Sequence, residues 1–373
     1  MITVFSALLW TMYSQSTITA FSECLIVPSV GSYGRNPIHT DAIQHLIANG
    51  EWKAPKEGDT IHVRTNLERA WSKLRVGEDG VFRHNNLNGG YAFMEYESET
   101  DEVLILSASG HSMVYVNDEP RVGDVYMTGY VQLPVKMRKG KNEFLFHAAR
   151  GQLRANLSKP RSELFFNTGD MTLPDIIKGE QRKYLGAITM VNASEMYKSN
   201  VLIRCTHEKR STNTTVSISP LTIRKVGFHI PAIDSEQEST TYQIEIIENG
   251  RLLDKTEIAL RNRKPNQVHK RTFISNIDGS VQYFAVNPPV NIDPFRTYAL
   301  VLSLHGAGVE AIGQAEAYAQ KTWAYIVAPT NRRPFGFDWE DWGRLDAMEV
   351  LEIAQKELPI DSSQTYLTGH SMG

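Results

Sequence analysis

Ser371 is the residue best suited to covalent chemistry. It lies in Gly369-His370-Ser371-Met372-Gly373, a G-x-S-x-G pattern directly after the β-prone run Thr365-Tyr366-Leu367-Thr368. A strand that turns sharply at such a serine presents the hydroxyl on a strained corner, and flanking glycines give neighbouring backbone room. The hydroxyl is a weak nucleophile at neutral pH and needs a base within hydrogen-bond reach. His370 adjoins it in sequence, but side chains of neighbouring residues on a tight turn diverge, so His370 is a poor base. A second turn, His305-Gly306-Ala307-Gly308, follows the apolar run Tyr298 to Leu304. Backbone N–H groups of Gly306 and Ala307, together with that of Met372, are the expected donors to a developing oxyanion. His305 and Gly308 are read as ordering this loop rather than reacting.

A near copy of the serine pattern, Gly110-His111-Ser112-Met113-Val114, differs only in its last residue. It lies inside a β-rich block and lacks the closing glycine, so Ser112 is set aside as nucleophile. Trp339 and Trp342, in the segment Phe335 to Gly343, are candidates for lining a substrate pocket, with aromatic packing under a loop as the equal alternative. Asp338, Glu340 and Asp341 beside them form an acidic cluster without histidines at ligand spacing. No metal and no other cofactor is expected.

These residues need elements to hold them. From Asp59 to His147, short alternating strands such as Val103 to Ser107 and Met113 to Asn117 are separated by turn residues, which predicts a β-sandwich. A second β-rich block runs from Leu164 to Leu260, with Asn249-Gly250 as a strong hairpin signal. Arg261 to Gln267 reads as a polar linker. Beyond it come a hairpin through Asp278-Gly279, the buried-type runs Tyr298 to Leu304 and Ala324 to Ala328, and an Ala-rich helical stretch from Glu310 to Lys321. A helix over Asp346 to Leu358 carries Ala347, Val350, Leu351 and Ala354 on one stripe. Strands alternating with helices predict an α/β layer with a mostly parallel sheet.

Net charge of -3 and a pI near 6.4 give no electrostatic reason to expect nucleic acid or an anionic membrane as partner. Cys24 and Cys205 show no CxxC spacing; two inert thiols are expected, with a single disulfide left open. The apolar run Met1 to Tyr13 is too short to span a bilayer. It suits a signal-peptide core with an exit near Ala20, although a positive n-region is missing before Arg35. Secretion, or export to a periplasm, is the expectation.

Residues 270–373 resemble the first half of an α/β-hydrolase domain, in the style of prolyl oligopeptidase-like peptidases and related esterases. The HGAG turn at 305–308, the GHSMG turn at 369–373 and the strand and helix order between them carry the resemblance. The implied class is multi-domain: N-terminal all-β sandwich modules followed by a partial α/β-hydrolase domain, doubly wound with a mostly parallel sheet. The implied boundaries are a signal segment at 1–20, a sandwich at 21–158 similar to galactose-binding jelly-roll modules, a second sandwich at 159–262, and the hydrolase part at 270–373. The implied chemistry is hydrolysis of a peptide or carboxylic ester bond through an acyl-enzyme on Ser371. The acid and histidine of such a site are implied C-terminal to the serine, so the sequence as given is expected to turn over little substrate. The other reading is a secreted, non-catalytic binding protein. Its β-modules would hold carbohydrate or protein, with Trp71, Tyr126 and Tyr130 as candidate stacking residues.

Overall fold

The computed structural model describes residues 17–32, 39–64, 66–180, 182–332 and 338–373. The signal-segment expectation falls largely on residues 1–16, outside the described part, as do Phe335, Gly336 and Phe337. Two compact units are formed by Met1–Glu163 and Leu164–Gly373.

Among the described residues, the first unit holds two larger antiparallel sheets and two two-stranded ones. One joins Thr17–Ala20, Gln152–Ser158, Glu102–Ser109 and Gln132–Met137, with Phe82–Arg83 paired to Gln152–Ser158. The other is built from β1 (Glu23–Val27), β2 (Tyr91–Ser98), β3 (His111–Val116), β4 (Glu119–Asp124) and β5 (Gly140–Ala148), in the order β4-β3-β5-β2-β1, followed by Ser72–Arg75. On β5, Phe144, Leu145 and Phe146 are all buried. Successive strand side chains point to opposite faces, so both faces of this sheet are covered. Leu145 joins Trp71, Tyr91, Phe93 and Ile43 in one core cluster, with Ile43 contributed by the short helix α1 (Ala42–Ala48). Trp71 is 1% exposed and is therefore core, not a stacking platform for a sugar.

In the second unit a three-stranded and a five-stranded sheet share one core. Leu164, Phe166, Ile188 and Phe228 from the first sheet meet Ile203, Cys205, Tyr242 and Ile258 from the second. Asn249 and Gly250 both have positive φ, 50° and 78°, as a tight hairpin turn requires. Within the stretch expected as a linker, Arg261 to Arg263 extend the preceding strand and Lys264 to Gln267 form a turn. Its strand continues to Arg263, because the Arg261 guanidinium forks onto both oxygens of buried Asp175 at 2.8 and 2.9 Å.

Beyond it lies a five-stranded sheet of β6 (His269–Ile274), β7 (Val281–Asn287), β8 (Tyr298–Leu304), β9 (Ala324–Ala328) and β10 (Ile360–Gly369), in the order β6-β7-β9-β8-β10. This overturns the expected mostly parallel, doubly wound α/β-hydrolase layer. β6–β7 and β7–β9 are antiparallel, and only β9–β8 and β8–β10 are parallel. Among the described residues, strand outweighs helix by 53% to 10%, so this part of the chain is β-dominated. The Asp278-Gly279 hairpin forces the first antiparallel pair. The Ala-rich stretch yields only α2 (Ala311–Glu316), because Asn287 Nδ2 donates to the carbonyls of Ala315 and Tyr318 and ends the helix early. The longer helix, α3 (Asp341–Glu357), begins before the expected start and buries Ala347, Val350 and Ala354.

Cys24 and Cys205 are both free and buried, and burial pushes each thiol up to about 12. Among the described residues, no helix is long and apolar enough to cross a membrane.

Two of the histidines that burial keeps neutral are lowered to about 4. His111 on β3 is fully buried, and burial lowers it to about 4. His269 on β6 is likewise lowered to about 4, by burial and then by the charge of Arg271; its Nε2 accepts from Arg271 Nε at 3.1 Å. The unfolded chain protonates near 6.5, whereas the folded one resists until about 4. Folding stability is therefore full above pH 6.5 and falls as pH drops toward 4, by about 1.4 kcal/mol per pH unit for each histidine. Urea unfolding between pH 7.5 and 4.5 measures this slope. His269→Gln removes its share; a slope unchanged by that substitution contradicts the assignment.

Candidate active site

β8 and β10 are parallel neighbours in register, with Leu304 opposite Gly369. Both strands end at one level, so the loops that follow them leave side by side. His370 N donates to Leu304 O at 3.1 Å and fastens the second loop to the end of the first strand. Gly373 N donates to His370 O at 3.0 Å and closes a four-residue turn with Ser371 at its first corner.

Ser371 has φ 59°, in the left-handed region, and its side chain is exposed. A non-glycine residue there carries strain on the order of 1–2 kcal/mol. The flanking glycines are sterically required. A Cβ on Gly369 would lie 2.2 Å from the Gly373 carbonyl carbon, and one on Gly373 would lie 2.2 Å from Leu304 O. A Cβ on Gly306 would lie 3.0 Å from the Ser371 Cβ and 3.3 Å from His370 Nδ1. The two loops therefore touch at the candidate nucleophile, and a side chain at position 306 would crowd that contact.

His305 is fully buried. Its Nδ1 lies 2.9 Å from Gly306 O, its ring meets Trp339 edge-on at 5.1 Å, and its own carbonyl accepts from Trp339 Nε1 at 3.0 Å. These contacts tie His305 to its own loop and to Trp339, and its Nε2 is buried without a protein hydrogen-bond partner among the described residues. Gly308 takes φ 71° where the loop reverses, and Ala307 is exposed at its tip. Among the described residues, the N–H groups of Gly306, Ala307 and Met372 donate to no protein acceptor, and Ser371 Oγ has no imidazole partner. The Met372 sulfur accepts from Asp338 N at 3.4 Å, which fixes that side chain away from the turn. Of the two candidate pocket tryptophans, Trp339 abuts the His305 loop, while Trp342 on α3 is 58% exposed.

Sequence reasoning missed Asp346. It is fully buried on α3, and burial raises its carboxyl against the pull of Arg332. Arg332 lies 3.8 Å from Asp346 Oδ1 and donates Nη1 to Ser275 Oγ at 2.8 Å. Asn331 beside it donates to Asp338 O at 2.7 Å, so this network fixes the chain entering Trp339. An acid next to Ala347 on an otherwise apolar stripe was the available signal.

No family model matches the chain, and no curated protein matches it. A thermostable esterase structure aligns with 15% identity and a TM-score of 0.24, covering 54% of this chain and 71% of its own. A GH2 beta-galacturonidase from Eisenbergiella tayi aligns with 11% identity and a TM-score of 0.28, covering 67% and 42%. A glycosyl hydrolase family 2 member from Bacteroides cellulosilyticus aligns with 11% identity and a TM-score of 0.30, covering 78% and 40%. The chain thus spans less than half the length of either glycosidase. Likenesses at these scores bear on neither mechanism nor substrate.

Ser371→Gly removes the hydroxyl and relieves the left-handed backbone. It is expected to raise stability by about 0.5–1 kcal/mol in chemical denaturation. A loss of stability on this substitution contradicts the strained corner.

Proposed function

We propose that the chain contributes a serine acyl-transfer site acting on carboxylic esters. The contact between Gly306 and Ser371 carries this reading, because it sets a strained, exposed hydroxyl beside backbone donors with no protein acceptor. Ser371 Oγ would bond to the acyl carbon while the carbonyl electrons move onto oxygen. The N–H groups of Met372 and of the Gly306–Ala307 turn would hold that oxyanion; one such donor is worth roughly 10²–10³ in rate. Collapse expels the alcohol and leaves an acyl-serine, which water then cleaves. A base within hydrogen-bond reach would take the Ser371 proton. Esters, whose alkoxide departs more readily than an amide nitrogen that must first be protonated, are the favoured class. Prolyl oligopeptidase-like peptide cleavage has no such support.

One observation favours a second, non-catalytic reading. A cleft of about 960 Å³ in the second unit is lined by Glu180, His207, Arg210, Asp234 and Gln237. Such side chains suit hydroxyl groups, and a carbohydrate is the ligand class they fit.

Incubation with p-nitrophenyl acetate, followed by peptide mass mapping, tests the main reading. An acetyl adduct on Ser371 that disappears in Ser371→Ala is expected. No adduct on Ser371, or peptide labelling unchanged by that substitution, contradicts it.

A further inference from the structure

Ser112, set aside on its sequence, has a partner that the sequence does not reveal. Its Oγ lies 2.7 Å from His147 Nδ1, a residue 35 positions away on the paired strand β5. The β3–β5 register shifts between His111 and Met113, so Ser112 is the extra residue of a bulge. A bulge of this kind re-aims a side chain. On the opposite side, Gly123 of β4 makes room: a Cβ there would lie 2.3 Å from His111 O. The imidazole is set by its surroundings. Its ring lies against that of fully buried Tyr91, with centroids 4.8 Å apart and planes inclined by 31°. Tyr91 OH donates to Asp41 Oδ2 at 2.6 Å, and Asp41 Oδ1 accepts from Gln44 N at 2.9 Å as the N-cap of α1. Burial lowers His147, against the raising influence of the Asp41 carboxylate, so a neutral imidazole faces the hydroxyl.

Ser112 and His147 line an open cavity of about 1140 Å³ in the first unit. Val30, Leu46, Ile61, Val63 and Met113 supply apolar lining beside them.

We propose that Ser112 and His147 form a second nucleophile–base pair, independent of Ser371, that accepts the acyl group of esters with an apolar acyl chain. The Ser112 hydroxyl proton passes to His147 Nδ1 as Oγ bonds to the acyl carbon. The ester C–O bond breaks, and the departing alcohol takes that proton. Water then attacks the acyl-serine, giving one proton to Nδ1, and Ser112 Oγ leaves with it as the carboxylic acid is released. The geometry at Ser112 meets the requirement of a nucleophile within hydrogen-bond reach of its base, which Ser371 lacks among the described residues.

An alkyl fluorophosphonate, which phosphonylates an activated serine with loss of fluoride, tests this in the full chain. In Ser371→Ala, one phosphonyl adduct is expected, mapped to Ser112. Adding Ser112→Ala at this exposed position abolishes it. Adding His147→Gln instead slows labelling at least about a hundredfold, the scale of a positioned general base. No adduct on Ser112 overturns the proposal, as does labelling whose rate is indifferent to His147→Gln in a variant that melts like its parent. The Ser371 reading is unaffected by either result.

Discussion

Close backbone approach between two parallel strand ends is the constraint on which the C-terminal site depends. Leu304 and Gly369 stand opposite one another, and everything beyond them follows from that register. Glycine occupies positions 306, 369 and 373 because each would otherwise drive a Cβ into a neighbour at 2.2–3.0 Å. Without those absences the serine turn would lift from the His305 loop. The pattern of glycines around Ser371 is therefore a packing requirement before it is a chemical signature.

The rest of the second unit holds that register. Trp339 ties its indole N–H to the His305 carbonyl, and the Asn331–Arg332–Asp346 network fixes the chain leading into Trp339. Asn331, Arg332, Asp338 and Asp341 all have positive φ. Strain of this kind persists only where surrounding contacts over-determine the backbone, and it gathers near sites that need fixed geometry. Asp175 does comparable work further off. Its two oxygens meet the Arg261 guanidinium, and Oδ2 also accepts from Lys270 N at 2.8 Å, which joins the sandwich strand to the first strand of the mixed sheet.

Local patterns in the sequence revealed much of this and hid the rest for identifiable reasons. The hairpins at Asn249-Gly250 and Asp278-Gly279, the buried runs at Tyr298 to Leu304 and Ala324 to Ala328, and the apolar stripe of α3 are all set by neighbours in sequence, and such signals are readable. Strand direction is not. Alternation of strands and helices suggested a mostly parallel layer, but β7 lies antiparallel to β9, a pairing that no local signal encodes. The helix at α2 stops early where Asn287, about 30 residues upstream, donates to the carbonyls of Ala315 and of Tyr318 just beyond its end. At the candidate sites, both C-terminal turns are visible as glycine patterns, whereas their adjacency depends on the Leu304–Gly369 register. Ser112 was discarded for lacking a closing glycine, a criterion that belongs to one turn geometry. Its bulge on β3 and its contact with His147 arise from strand pairing across 35 residues.

The most direct test of the C-terminal site is to place a stable tetrahedral anion on Ser371. Backbone amide NMR of the Ser112→Ala chain, titrated with an aryl boronic acid, reads the donors one by one. The amide protons of Met372 and of Gly306 or Ala307 should move downfield together as the Ser371 boronate forms. Boronate formation on Ser371 with those amides unmoved, or no adduct at all, would contradict convergence of the two turns on one oxyanion.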